Sequence, residues 1–520
     1  MTRLPQYHAA RWDEPVIMTM GRPGGRGQLF PAPEAEVTDL VGAAVIPDVM
    51  ARKDRPALPE LTEFETQRHY LHLSQMTLGM MGVSLFGTCT MKYNSKTSEA
   101  ATLRPELAEV HPYQHPDTLQ GVLEIMHDFD AILRALSGMD QFIFQAGGGA
   151  DAAYTMTAVA RAYWADRGQL GVRTEMVTSI QSHPCNPATA AAAGFTVINL
   201  PLEANGYPSL DAFRAAIGPK TALVMLNNPD DMGIYNPEIK EWVRLAKEAG
   251  ALCFYDHANF NGVMGKLCAR ELGFDACMFM LHKTFGAPKG GGGPAVGAYG
   301  CSQDLAPYLP TPVIMQLDGK YRLDTDRPKS AGKIREFWGN VPQVVKAYAW
   351  ARAMGADGIN LASDISVVAN NYMDKKLSQI PGLVISHPGI PARRMEMTRW
   401  SLAPLTEETG VSTVDFANRM ADYGIDPWWM SHEPWIVPEP FTPEAGELWS
   451  REDIDHWIAV IAQIVTEARE TPELVKTAPH NQAIAQVKGA AFEDPARWAM
   501  TWRAYLRKRS GASPAERGTA

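Results

Sequence analysis

Lys283 follows a short apolar run, Ala276 to Leu281, and stands between His282 and Thr284. The run is too short for a helix, and Gly290-Gly291-Gly292-Gly293-Pro294 soon closes the segment, so it reads as a buried strand. An ammonium at the end of a buried strand must be paired or give up its proton. A desolvated lysine loses its charge readily, and the neutral amine attacks carbonyls. Taken alone, Lys283 is equally well the first solvated residue after a strand. A second apolar strand, Ala251 to Tyr255, ends in Asp256. A lysine and an aspartate closing neighbouring strands meet the two needs of pyridoxal 5'-phosphate: an amine for its aldehyde and a carboxylate for its ring nitrogen.

Positioning these residues takes a sheet. Thr118 to Leu136 reads as an amphipathic helix, Gln141 to Gln145 as a strand, and Asp151 to Asp166 as a helix. Between the last two lies Ala146-Gly147-Gly148-Gly149-Ala150. Glycines there let backbone N–H groups approach an anion, and the helix dipole favours negative charge. The loop matches neither the Walker nor the dinucleotide fingerprint. Gly148, Gly149 and Ala150 are the candidate phosphate contacts. Further strands are expected at Thr174 to Ser179, Phe195 to Leu200 and Thr221 to Leu226, with helices between them. Near-continuous apolar strands alternating with helices mean a parallel sheet covered on both faces. Ligands bind such sheets at the carboxyl ends of the strands. Those ends carry Ser182-His183, Asn227-Asn228-Pro229, Asp256-His257-Ala258-Asn259 and His282-Lys283.

Three parts are expected: an arm and helical segment over 1–110, a large domain over 111–340, and a smaller α+β unit with a tail over 341–520. In the first, Gly21 to Gly27 can hardly be regular structure and reads as an arm for another surface, so an oligomer is expected. Gly87-Thr88-Cys89-Thr90-Met91-Lys92-Tyr93-Asn94 is dense enough in chemistry to line a pocket. In the third part, Arg394 to Leu402 reads as a strand, and Trp428-Trp429-Met430 as a loop near the site mouth or packed locally.

The 520 residues are 46% hydrophobic, ample for a large core, with a formal net charge of −10. That balance argues against a nucleic-acid or anionic-membrane surface. The six cysteines are scattered without a CxxC pair, so neither a metal site nor a disulfide framework is expected, and a reducing cytoplasm is. The N-terminus lacks the apolar core of a signal peptide, and no run is long enough to span a membrane.

In its motifs the chain resembles the pyridoxal-phosphate-bearing subunit 2 of two-chain glycine decarboxylase, the P-protein of the glycine cleavage system. The carrying motifs are Arg22-Pro23-Gly24, the Gly87 to Asn94 stretch, Ser182-His183 with Asn186-Pro187-Ala188, Asp256 with Ala258-Asn259, His282-Lys283-Thr284-Phe285, Gly290 to Pro294, Asp326 to Ser330, and Pro472-Glu473-Leu474. The resemblance implies the aspartate-aminotransferase-like fold, fold type I. It implies a covalent bond from Lys283 to the cofactor, Asp256 on the pyridine nitrogen, His183 stacked on the ring, and the Gly147 to Ala150 loop on the phosphate. Asn228, Ala258 and His282 are expected beside the cofactor, and Thr88, Cys89, Asp151 and His257 in the substrate pocket. The resemblance also implies a small amino-acid substrate, an α chain as partner, and a lipoyl-carrying H-protein as acceptor.

Departures surround the cofactor positions. Where the family carries His/Asn-Gly-Glu after the phosphate loop, this chain has Asp151-Ala152-Ala153. Asp-Gly-Ala-Asn becomes Asp256-His257-Ala258-Asn259, and Thr-Asn-Pro-Asn-Thr becomes Asn227-Asn228-Pro229-Asp230-Asp231. The Pro-Thr-Glu-Thr-Glu-Ser run is missing around Glu439-Pro440-Phe441. Two readings follow: a glycine decarboxylase, or a paralogue with the same carbanion chemistry on another amino acid or electrophile. A non-catalytic assembly subunit is disfavoured by the joint presence of Asp256 and Lys283.

Overall fold

A computed structural model describes residues 4–25, 33–42, 46–54, 56, 58–77, 83–85, 92–288, 295–426, 436–486, 494 and 498–510. Backbone contacts divide the chain into two units. The larger comprises Val83–Ala417 and Asp426–Lys476. The boundaries expected near 110 and 340 both fall inside it.

The larger unit is organised by a seven-stranded sheet. Its strands are β1 (Gln141–Ala146), β2 (Glu175–Ser179), β3 (Thr196–Leu200), β4 (Thr221–Asn227), β5 (Leu252–His257), β6 (Ala276–Met280) and β7 (Gly297–Cys301). The spatial order is β1-β7-β6-β5-β4-β2-β3. Neighbours from β3 to β6 run parallel, and β7 is antiparallel to both β1 and β6. The parallel part follows the sequence reading. The antiparallel β7 did not emerge from it, because Gly-Ala-Tyr-Gly-Cys carries too little β-branched character to register as a strand.

Side chains alternate between the two faces of each strand, and each face has its own core. Cys253, Tyr255, Cys277 and Phe279 join one apolar cluster with the helix Gln120–Ser137. Leu252, Phe254, Ala276 and Met278 join the other with the helix Gly149–Asp166. This two-sided burial keeps the strand ends rigid. The connections that cross to the next strand leave from those ends and carry the polar groups.

The long helix Val341–Leu377 leaves the α-region at Gly355, which takes a positive φ of 62°. Beyond it, Val384–Ile385, Trp400–Ser401 and Pro440–Phe441 form a small antiparallel sheet. The strand expected over Arg394 to Leu402 shortens to its last residues, because the side chains of Asn370 and Asp374 engage its first half. Asn370 Nδ2 donates to the Met395 carbonyl at 2.9 Å, and the Thr398 hydroxyl donates to Asp374 at 2.6 Å.

The smaller unit holds the chain's start, 418–425 and the segment from Thr477 onward. Its helix Glu63–Gln75 opens on a reciprocal cap between Thr62 and Glu65. The Glu14 carboxylate bridges two turns of that helix, meeting His69 Nδ1 at 2.6 Å and His72 Nδ1 at 2.7 Å. The glycine-rich arm is tied here within the same chain: Arg22 pairs with Glu65 at 2.8 Å, and its N–H donates to the Glu60 carbonyl. Among the described residues no helix is long and apolar enough to cross a membrane.

Candidate active site

Asp256 stands at the end of β5, in register with Asn227 on β4 and Met278 on β6. It is buried, and both its oxygens are engaged. Oδ1 accepts the Ala258 N–H at 2.9 Å, and Oδ2 accepts from Asn186 Nδ2 at 3.0 Å. Asn186 is itself fully buried and donates to the Ser182 hydroxyl at 2.7 Å. Burial pushes the Asp256 carboxyl up to about 6. The two hydrogen bonds pull it down, the nearby Asp231 adds to the rise, and the charge of Lys283 opposes it.

Lys283 is buried just past β6. Its N–H bonds to the Met280 carbonyl at 3.0 Å, and its own carbonyl receives the Gly286 N–H at 3.3 Å. The chain therefore turns immediately beyond the strand, so the lysine sits at the sheet edge. Its positive charge works against the rise that burial imposes on the pKa of Asp256, Cys185 and Glu396.

Two histidines flank these groups in opposite tautomers. The Cys185 N–H donates to His183 Nδ1 at 3.1 Å, which puts the proton of neutral His183 on Nε2. His282 Nδ1 faces the Val296 carbonyl at 3.2 Å; a carbonyl only accepts, so Nδ1 carries the proton.

Gly148 caps the helix Gly149–Asp166 with extended backbone. A Cβ at Gly149 would collide with the Met280 side chain, so the helix can start this close to β6 only with glycine there. Ala150 is exposed in the first turn. Asp151 folds back over the helix start: its Oδ2 accepts the Gly147 N–H at 3.0 Å and pairs with Arg335 at 3.3 Å.

The side chains of Asn228 and Asp230 hold their own loop, and His257 faces away from Asp256. The Asn228 amide holds its own loop, accepting the Asn236 N–H at 2.8 Å and donating to the Asn236 carbonyl at 3.2 Å. Asp230 Oδ1 closes the same turn on the N–H groups of Met232 and Ile234. His257 follows Asp256 by one residue, so the strand's period of two sends it to the opposite face. There it packs against Tyr255 at 3.8 Å, Phe260 at 4.8 Å and Phe279 at 5.4 Å between ring centroids. Burial pushes its pKa down to about 3, so it is a neutral ring in an aromatic layer. Ala258 contributes its N–H to Asp256, as above. Thr88, Cys89, Trp428-Trp429-Met430 and the Gly290 to Pro294 run lie outside the described residues.

Asp231, from the altered loop after β4, and Lys92, from the Gly87 to Asn94 stretch, are marked in the sequence; Arg399, Glu447, Asn261 and Glu396 are not. Asp231 is buried; Asn259 Nδ2 donates to its Oδ1 at 3.0 Å, and its Oδ2 has no hydrogen-bond partner. Arg399 is fully buried, donating from Nη2 to the Asp231 carbonyl at 3.0 Å and from Nε to the Thr442 hydroxyl at 3.1 Å. Lys92 is buried against the Trp350 ring at 4.2 Å and pairs with Glu447 at 2.7 Å. Burial lowers its pKa, and Glu447 partly restores it. Asn261 Nδ2 completes this group on Ser366 at 2.6 Å and Glu447 at 3.2 Å. Glu396 is fully buried, with neither carboxyl oxygen in a hydrogen bond. A signal existed for Glu396 and Arg399: charges inside a stretch read as a core strand.

The residues fit pyridoxal 5'-phosphate. The Asp256 carboxyl is held in a dry setting where a positive ring nitrogen would stabilise its ionised form. A buried lysine stands just past the neighbouring strand, and a helix N-terminus with a glycine cradle begins against that strand's last residue.

Comparison with known proteins agrees. The aminotransferase class-V family model matches residues 115–398. The probable glycine dehydrogenase (decarboxylating) subunit 2 of Pyrococcus furiosus is 39% identical over 96% of this chain and 98% of its own. The protein of the same name from Thermococcus onnurineus is 40% identical over the same shares. Among solved structures, glycine decarboxylase (P-protein) of the glycine cleavage system, in inhibitor-bound form, superposes with a TM-score of 0.71 at 18% identity, covering 84% of this chain and 100% of that one. A NifS-like protein covers 74% of this chain and 100% of its own at a TM-score of 0.56 and 15% identity. By these likenesses the chain belongs to the glycine dehydrogenase (decarboxylating) subunit 2 family, pyridoxal-phosphate enzymes on the class-V aminotransferase, fold-type-I framework.

Proposed function

We propose that this chain breaks the bond between the α-carbon and the carboxylate of an amino acid, with glycine as the substrate the family name gives. Bound pyridoxal phosphate supplies the sink for the electron pair left on the α-carbon. Lys283 would hold the aldehyde carbon, Asp256 the ring nitrogen, His183 the ring face, and Gly148 to Ala150 the phosphate. Asn186 and the Ala258 N–H fix the Asp256 carboxylate, so its charge is preorganised rather than recruited at the moment of reaction. The single observation that carries this reading is Asp256 itself: a buried carboxylate held by two neutral donors, with Lys283 in electrostatic reach.

The relatives are named as a second subunit. An α chain beside this one, and a lipoyl-carrying H-protein as acceptor, belong to the same proposal. Purified protein should absorb in the visible, and borohydride should fix the cofactor to the Lys283 peptide. Glycine–bicarbonate exchange, assayed with H-protein and α chain added, then tests the reaction. A colourless protein without a modified Lys283 peptide refutes the proposal.

A second reading, the same α-carbon chemistry on an amino acid with a side chain, is favoured by one observation. Asp231, four residues past the end of β4, is buried with one carboxyl oxygen that has no hydrogen-bond partner.

A further inference from the structure

Lys283 opens the turn that ends at Gly286. Its own N–H is tied back to the Met280 carbonyl at 3.0 Å, and the turn closes where the Gly286 N–H reaches the Lys283 carbonyl at 3.3 Å. That closing bond is longer than an ordinary N–H···O bond, so it holds the turn weakly. Gly286 takes a positive φ of 69°, and a glycine there leaves the backbone free to swing. The peptide unit that follows Gly286 therefore decides whether the turn keeps its shape.

That unit is gripped at both ends. Its N–H, from Ala287, donates to the Leu281 carbonyl at 3.1 Å. Its carbonyl, from Gly286, accepts from the Asn94 side chain at 2.7 Å. A carbonyl only accepts, so the bond must come from the amide nitrogen of Asn94. The donor belongs to a segment with its own anchor. Two residues earlier, the buried Lys92 side chain pairs with Glu447 at 2.7 Å and stands 4.2 Å from the centre of the Trp350 ring. The same ring lies against the turn: a Cβ on Gly286 would stand 3.1 Å from Trp350 Cδ1, and the Phe285 ring meets Trp350 edge-on at 5.7 Å. Lys92 and Trp350 hold the segment in place, and Asn94 makes its polar bond to the turn.

We infer that Asn94 is a positioning residue: it fixes the Gly286–Ala287 peptide and, through the turn, the direction from which the Lys283 amine meets the cofactor. The inference rests on the reading of Lys283 as the residue that holds pyridoxal phosphate. Capture joins the uncharged Lys283 nitrogen to the aldehyde carbon, and the aldehyde oxygen leaves as water with the two amine protons. A misplaced nucleophile loses rate steeply in such a step. Binding of the ring and phosphate does not pass through Lys283, so Asn94 governs capture and leaves binding alone.

The test uses the full-length protein freed of cofactor, with two probes. Pyridoxal phosphate reports capture through growth of its visible band. Pyridoxine phosphate, with an alcohol in place of the aldehyde, reports binding alone through protein fluorescence. Asn94→Ala removes the donor, and Asn94→Asp keeps the side chain's shape while replacing the donor with an acceptor. In both, the capture rate at saturating pyridoxal phosphate should fall on the order of tenfold, the factor that one lost hydrogen bond carries. The pyridoxine phosphate midpoint should stay within about twofold, a split that a merely structural role does not produce. A fall in capture rate smaller than about threefold in either variant overturns the inference. So does a parallel loss of capture and of pyridoxine phosphate binding, because Asn94 then maintains the fold and not the aim of the lysine. Absence of the visible band in the unaltered protein is a different failure: it removes the reading of Lys283 and the inference with it.

Discussion

Asn186 donates its side-chain N–H to Asp256 Oδ2 at 3.0 Å, reaching from the first turn of the helix Cys185–Ala192 to the end of β5. This bond helps keep a fully desolvated carboxyl no higher than about 6. Asn186→Ala removes it and raises the carboxyl further. Since the ring nitrogen needs the ionised carboxylate, the acid limb of cofactor binding should move to higher pH by roughly one to two units. Spectrophotometric titration of pyridoxal phosphate binding against pH checks this. An unshifted limb would show that Asn186 only shapes the loop.

The same carboxyl links stability to pH. Its folded value lies above the ordinary one near about 4, so the folded chain holds the proton more tightly than the unfolded chain. Stability from this group is therefore complete below about 4 and is lost as pH rises through about 6. Asp256→Asn should stabilise the cofactor-free protein at pH 8, by on the order of 2 kcal/mol, and should impair cofactor chemistry. Denaturant unfolding at pH 4 and pH 8 measures the difference.

His257→Phe should keep activity within about twofold and leave stability equal or higher. The imidazole is buried among aromatic rings, and its Nδ1 has no hydrogen-bond partner. Its folded pKa near 3 lies below the ordinary value, so the unfolded chain binds the proton first as pH falls. Stability drops between about 6.5 and about 3 for this reason, and the phenylalanine variant should lose that part of the slope. A large fall in activity would instead give His257 a role at the substrate.

Lys92 and Glu447 form a buried pair at 2.7 Å. Removing one partner leaves an uncompensated buried charge. Lys92→Met alone should therefore cost roughly 3–5 kcal/mol, whereas Lys92→Met with Glu447→Gln should recover much of the loss. Unfolding free energies in a double-mutant cycle give the coupling. Simple additivity would contradict the pairing.

Asp151 competes with any anion for the start of its helix, and Arg335 offsets it at 3.3 Å. Asp151→Asn keeps an acceptor for the Gly147 N–H but removes the charge, so pyridoxal phosphate and inorganic phosphate should both bind a few-fold more tightly. Arg335→Ala should bind them more weakly. Fluorescence titration of the cofactor-free protein distinguishes these outcomes from a Asp151 that matters only for helix capping.

Apolar runs flanked by glycine and proline made β1 to β6 legible, because fully buried parallel strands need little else. Lys283 and Asp256 followed, being charged residues placed where such runs end. The misassignment of His257 had a simple remedy: the period of two that makes Asp256 face the site turns its neighbour away. Asn228 could not be assigned from sequence, since an amide beside a proline serves a ligand or its own loop equally well. Glu396 and Arg399 depend on contacts across long chain separations, such as Arg399 with the Asp231 carbonyl. Local pattern carries no information on those.

The antiparallel strand β7 has a consequence for how this enzyme can change over time. Met280, the last residue of β6, pairs with Gly297, the first of β7, so the segment bearing Lys283 leaves and rejoins the sheet at one place. Leu281 donates to the Val296 carbonyl at 3.2 Å, and Ala287 to the Leu281 carbonyl at 3.1 Å, which pins the lysine side of that excursion. These are backbone bonds, so Leu281, Ala287 and Val296 can be exchanged for residues of similar size while the amine keeps its address.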